Sequence, residues 1–172
     1  MRVLCCLDGT NVEALQRLVA SMLTSTDLTI GLLYVIDTGP RREIGLMRER
    51  FFRPHDLPPA RDEQLQQVEL TAAQEILQEG TRYFPQAETL QRPGRPEREI
   101  VMCAATWNAD LVAICPRSPD FTGPATGPKS VGHVARFVLD HAPCPVILAR
   151  PVQTIFELPP PPPPPGKPKP RP

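Results

Sequence analysis

Between an apolar run, ADLVAI (109–114), and a helix-patterned run, VARFVLDHA (134–142), the chain places the stretch CPRSPDFTGPATGPKSVGHV. A loop between a strand and a helix in an α/β protein is where phosphates are commonly held, by backbone N–H groups and a helix N-terminus. Lys129, Ser130, Gly132 and His133 stand at the start of the helix pattern, with Arg117 earlier in the loop. They offer a dipole end, N–H groups, a hydroxyl and cations, enough for one phosphate. Pro116, Pro119, Pro124 and Pro128 each remove a donor and stiffen the path. The sequence therefore predicts weak binding of a phosphate chain, or none.

Few other residues are spaced for chemistry. No nucleophile, base and orienting acid stand in a catalytic arrangement, and no His/Cys/Asp cluster has metal-ligand spacing, so no enzyme activity and no metal are expected. The five cysteines, Cys5, Cys6, Cys103, Cys115 and Cys144, lie mainly in apolar patterns. They read as reduced packing thiols. Cys5 and Cys6 are adjacent in a strand, so they should face opposite ways and cannot chelate together. A redox role stays open only for Cys115, at a strand end. Asp8, before Gly9-Thr10, reads equally as a ribose contact or as an acceptor for turn amides. His133 reads as a first-turn surface residue or a phosphate ligand, His141 as a helix C-terminal residue, His55 as loop surface and Trp107 as helix-end packing.

The positioning elements follow from hydrophobic period. RVLCCLD is a short apolar strand, and Thr10 with Glu13 reads as a capping box opening a helix with Val12, Leu15, Leu18, Val19, Met22 and Leu23 on one face. LTIGLLYVID is a second strand. REIGLMRERFF, within 38–58, fits a helical turn or an ordered flap. A long helix runs from about Pro59 to Tyr83, with Leu65, Val68, Ala72, Ile76 and Leu77 on its inner face. AETLQRP is a weak strand, and EREIVMCAATWN a helix packing Ile100, Cys103, Ala104 and Trp107 inward. ADLVAIC is the fourth strand. A helix carrying Val131, Val134, Phe137 and Val138 follows, stopped by Pro143, and CPVILAR is the fifth strand. Strands alternating with helices imply parallel βαβ units in a doubly wound, three-layer α/β/α sandwich, Rossmann-like in kind.

Lysine plus arginine and aspartate plus glutamate balance at 19 each, which gives no field favouring DNA, RNA or an anionic membrane. No apolar run approaches the ~18 residues of a membrane span, and MRVLCCLDGT enters a strand pattern without a signal peptide, so a cytoplasmic protein is expected. The domain should end near Pro151. Residues 152–172, with seven consecutive prolines from Pro159 to Pro165, cannot bury a core and should form a solvated polyproline tail, open to a protein partner with a proline-binding groove.

Several segments resemble the universal stress proteins of the UspA type: MRVLCCLDGT, LLYVID, GRPEREI…ADLVAI and, most closely, GHVARFVLDHAPCPVILAR. The resemblance spans most of residues 1–151. It implies a five-stranded parallel sheet of order 3-2-1-4-5, the adenine nucleotide alpha hydrolase-like arrangement, with ligand binding where the order reverses. It implies ATP or AMP as the ligand, contacted from the first two strands by Asp8, Gly9, Thr10 and Val35. From the loop it implies Cys115, Ser118, Lys129 and Ser130, and from the last helix Gly132, His133 and Val134. The family's phosphate loop has the pattern GxxGx9G followed by Ser or Thr. Here Cys115 and Ser118 stand at the first two glycines and His133 at the Ser/Thr, and thirteen residues separate Ser118 from Gly132 where the pattern has nine. The expectation is a stress-response protein with a degenerate nucleotide loop that binds ATP weakly or not at all; the alternative is an ATP- or AMP-binding member. The resemblance also implies a homodimer through the fifth strand, Cys144 to Arg150, whose edge would otherwise stay unpaired.

Overall fold

The structure, a computed structural model, describes residues 1–23, 27–39, 60–116 and 131–150. The segment 38–58 beyond Gly39, His55, most of the proline-rich loop and the tail lie outside the described residues. Five strands, β1 (Arg2–Leu7), β2 (Thr29–Asp37), β3 (Glu88–Gly94), β4 (Leu111–Ile114) and β5 (Val146–Leu148), form one sheet of order β3-β2-β1-β4-β5. All four pairings are parallel. Among the described residues the helices are α1 (Val12–Met22), α2 (Ala60–Tyr83), α3 (Pro96–Thr106) and α4 (His133–His141). The sheet order is the one the resemblance implies, and the layering is the one the alternation of strand and helix patterns predicts.

Alternation along β1 divides the core in two. Val3, Cys5 and Leu7 pack with Leu15 of α1 and Leu77 of α2, while Leu4 and Cys6 pack with Ile100 and Cys103 of α3 and Val138 of α4. Cys5 and Cys6 thus face opposite layers, as a period of two requires. All five cysteines are free thiols. Pro93, which cannot donate to a ladder, sits on edge strand β3.

Three local expectations are corrected. Thr10 and Glu13 form no capping box: the N-cap of α1 is Asn11, without a side-chain cap bond. The N–H and hydroxyl of Thr10 instead donate to Asp8 Oδ1 at 2.8 and 2.9 Å, so the threonine is spent on the preceding turn. On α1, Leu15 is buried but Met22 is 61% exposed at the last turn. On α2 the inward stripe is Ala73, Leu77 and Gly80, continued by Phe84, whereas Val68 is 65% exposed and Ala72 also faces outward. Gly80 sets that phase: a Cβ there would stand 3.0 Å from both Leu7 and Leu32, so the helix rests its small face on the sheet. The side chain of Leu65 lies outside the described residues. In α3, Ile100, Cys103, Ala104 and Trp107 are buried as expected.

Candidate functional site

The strand order reverses between β1 and β4, and the carboxyl ends of those strands part to leave a crevice. A cleft of about 500 Å³ occupies it. That is the size range of small-molecule pockets. Its apolar walls come from Val35 at the end of β2, Ile114 at the end of β4, Ile100 on α3, and Val131 and Val134 at the start of α4. Its polar groups are Asp8, Thr10 and Asn11 on one side and the first turn of α4 on the other.

The β1–α1 turn is organised by two short side chains. Asp8 Oδ1 accepts both Thr10 bonds, so Asp8 satisfies turn amides and stands exposed at the mouth. Asn11 is buried: its Nδ2 donates to the carbonyl of Cys6 at 2.9 Å and its Oδ1 accepts from the N–H of Asp8 at 3.1 Å. Gly9 takes φ +93°, which an L side chain rarely adopts, and a Cβ there would meet Ile76 of α2 at 3.3 Å. It makes the turn but does not line the cleft.

Across the cleft, Gly132 is the N-cap of α4 at φ +82°, with no side-chain cap bond, and no acid of α4 lies in its first turn. The amides there point toward the cleft end of the helix, which is the polarity that favours an anion. His133, the first helical residue, has a side chain 77% exposed, with Nε2 3.8 Å from Oε1 of Glu97. Pro96 opens α3 at N1 and borders the same cleft. Pro116 is buried directly after Cys115, so the loop leaves β4 through a residue without an N–H.

Electrostatics argue against a reactive thiol. Burial, and then the nearby Asp8 carboxylate, push the Cys115 thiol up to about 11, against a smaller opposing hydrogen bond from Asn11. A thiol so placed stays protonated near neutrality, which disfavours the redox role left open for it. Burial also raises Tyr34, with Glu69 and Asp8 adding to it. Among the described residues, no group of three or more His, Cys, Asp or Glu could hold a metal. None of the described helices is long and apolar enough to cross a membrane.

Of the residues singled out from sequence, Asp8, Thr10, Val35, Cys115, Gly132, His133 and Val134 meet in this one cleft. Ser118, Lys129 and Ser130, with Arg117, lie outside the described residues. Sequence reasoning missed Asn11 and Glu97. An asparagine directly after Asp-Gly-Thr is a turn signal that was available; nothing local marks Glu97 as buried. His141 closes α4, its Nδ1 2.9 Å from the carbonyl of Phe137 and its ring stacked on that phenylalanine.

Comparison with known proteins gives this cleft its setting. No curated protein sequence matches the chain. Solved structures do match in fold. The hypothetical protein MJ0577 is 17% identical with a TM-score of 0.66, over 89% of this chain and 97% of that one. The universal stress protein UspA from Lactobacillus plantarum is 20% identical with a TM-score of 0.64, over 87% and 97%. A universal stress protein family protein from Arabidopsis thaliana, with AMP bound, is 14% identical with a TM-score of 0.55, over 87% and 91%. Identities this low speak to the fold alone. The family model described as "Universal stress protein family" matches residues 1–150, the span that builds both the 3-2-1-4-5 sheet and the cleft at its reversal, and the chain belongs to that family.

Proposed function

We propose that this chain is a non-catalytic stress-response protein whose cleft takes an adenine nucleoside bearing at most one phosphoryl group, with ATP held weakly or not at all. The observation that carries the reading is the pairing of a roughly nucleoside-sized, mostly apolar cleft with the N-terminus of α4, whose first turn carries no acid, whereas α1 carries Glu13 and α3 carries Glu97 and Glu99. One helix N-terminus free of acids suits one phosphate. A triphosphate needs several further inward-pointing N–H groups. Pro116, Pro119, Pro124 and Pro128 have none to give, and Cys115 and Ser118 carry Cβ atoms where glycines would admit a close approach. In this reading Asp8, Thr10 and Val35 form the nucleoside side, held by the turn at Gly9, with Cys115 and Ser118 where the loop begins. Lys129, Ser130, Gly132, His133 and Val134 form the phosphate side. The AMP-bound Arabidopsis relative supports the choice of ligand class.

Titration calorimetry with adenosine, AMP and ATP tests the proposal. AMP or adenosine should bind at least tenfold more tightly than ATP, about 1.4 kcal/mol. ATP binding as tightly as either would favour the alternative, a nucleotide-binding member that grips the whole triphosphate through Lys129 and Ser130; no heat with any of the three would reject a nucleotide role.

The rest of the assembly is proposed on the same footing. Residues 1–151 form the domain and 152–172 a solvated tail that a proline-recognising partner could engage in the cytoplasm. β5 pairs with β4 on one side, and its other edge suits a two-fold pairing with a second copy.

A further inference from the structure

Glu97 is an acidic residue with only 9% of its surface exposed, an uncommon place for this type. It sits in the first turn of α3, next to Pro96, which borders the cleft. Its Oε1 lies 3.8 Å from Nε2 of His133, the residue that opens α4. The carboxylate therefore stands at the meeting of two helix N-termini, where the dipoles of both favour negative charge. That is also the end of α4 at which a ligand phosphate would sit. The imidazole opposite is largely in water and carries charge only when protonated, so solvent screens it far more than it screens the buried acid.

We propose that Glu97 sets the charge specificity of the cleft: the protein's own buried carboxylate occupies the anion-favouring junction of α3 and α4, opposes a phosphoryl group there, and tilts the cleft toward uncharged nucleosides. The proposal rests on the nucleoside reading above and deepens it. Glu97 acts here as an internal anion, and its effect falls on the ligand's phosphate and not on its base or ribose.

The test compares Glu97→Gln with Glu97→Met, which removes the charge with a side chain suited to burial should the glutamine fold poorly. Both are set against Glu99→Gln, which neutralises an acid in the same turn whose side chain lies against Gly94. Adenosine and AMP affinities are measured by calorimetry. Inorganic phosphate is titrated separately, followed by the amide NMR shifts of His133 and Val134. Loss of one like charge beside the phosphate should raise AMP affinity about tenfold while leaving adenosine unchanged. Phosphate binding at the α4 amides should tighten similarly, and Glu99→Gln should change neither. Equal changes for adenosine and AMP, or no tightening of AMP and phosphate, would overturn the proposal. If neither nucleoside nor AMP binds to any variant, the nucleoside reading fails, and the phosphate titration still decides whether Glu97 opposes an anion at α4.

Discussion

Gly31 has no side chain because the indole of Trp107 occupies the space where one would be. A Cβ at Gly31 would stand 2.8 Å from Cζ2, 2.9 Å from Cη2 and 3.2 Å from Cε2 of that ring. The ring cannot easily yield. Its Nε1 donates to Oε2 of Glu88 at 2.9 Å, and Glu88 is the residue of β3 paired in register with Gly31. The guanidinium of Arg2 lies 4.1 Å over the ring, and its Nε donates to the Trp107 carbonyl at 2.9 Å. Replacing glycine by alanine in an unobstructed strand stabilises by roughly 0.5–1 kcal/mol. Overpacking a fixed neighbour costs about 1–3 kcal/mol, and displacing the indole forfeits its hydrogen bond, about 1 kcal/mol more. Gly31→Ala should therefore be destabilised by about 2 kcal/mol, a fall in Tm of roughly 4–8 °C for a chain of this size. Urea unfolding followed by the fluorescence of the single tryptophan reads it directly. In a Trp107→Leu background, followed by circular dichroism, the penalty should shrink by at least ~1 kcal/mol. Stability equal to or above wild type in the single variant, or an undiminished penalty in the double, would refute the reasoning.

Two further perturbations test the floor of the cleft and the buried thiols. Asn11→Ala strips the side-chain partners from the Cys6 carbonyl and the Asp8 N–H, and should lower stability in urea by about 2 kcal/mol; a change under about 0.5 kcal/mol would show that water replaces the amide. Burial raises Cys5 from 9.0 to about 12 and Cys115 to about 11, so both thiols ionise later in the folded chain than in the unfolded one. The unfolded state then holds fewer protons above pH 9, so this contribution is intact below about pH 9 and is lost as pH climbs through 11 to 12. Urea midpoints measured from pH 8 to 11 should fall, and Cys5→Ala should flatten the slope; a flat wild-type profile would contradict the burial.

The sheet was legible because its signals are redundant. Five strand patterns separated by helix patterns fix parallel βαβ units without any one residue being decisive. Cys5 and Cys6 could be assigned to opposite layers from the period of a strand alone. Errors fell where two local rules competed or where the deciding contact was tertiary. Thr10 satisfies a capping-box spacing, yet Asp8 two residues earlier offers a nearer acceptor. Val68 and Ala72 fit one helical stripe of α2, but Gly80 selects the stripe containing Ala73 by allowing close approach to Leu7 and Leu32. For the site, the resemblance pointed to the strand ends and the start of α4, and the structure brings Asp8, Thr10, Val35, Cys115, Gly132, His133 and Val134 to one cleft. Glu97 was not legible, since an acid in a first helical turn ordinarily faces water, whereas this one is buried with His133 of α4 against it.

The two ends of the sheet divide interlocking contacts from the cleft. At the amino ends of the strands, Arg2, Glu88 and Trp107 interlock, and the carboxylate of Asp110 accepts from the Arg2 N–H at 2.7 Å. These contacts join β1, β3, α3 and the approach to β4 across sequence separations as large as 108 residues. At the carboxyl ends the chain instead opens the cleft, lined by an exposed Asp8, Cys115 and the start of α4, whose first turn carries no acid. Damage at the first end should lower stability while leaving the crevice walls chemically intact, because Val35, Ile114 and Val134 share no hydrogen bond with the Trp107 cluster among the described residues. On the nucleoside reading, changes at Glu97 should act on the ligand's phosphate and changes at Asp8 on its nucleoside. Asn11 is the exception, since its amide ties the last turn of β1 to the floor of the cleft. A binding defect at Asn11 is therefore meaningful only alongside its unfolding curve, whereas one at Glu97 is judged by the ratio of AMP to adenosine affinity, in which a uniform loss of folded protein cancels.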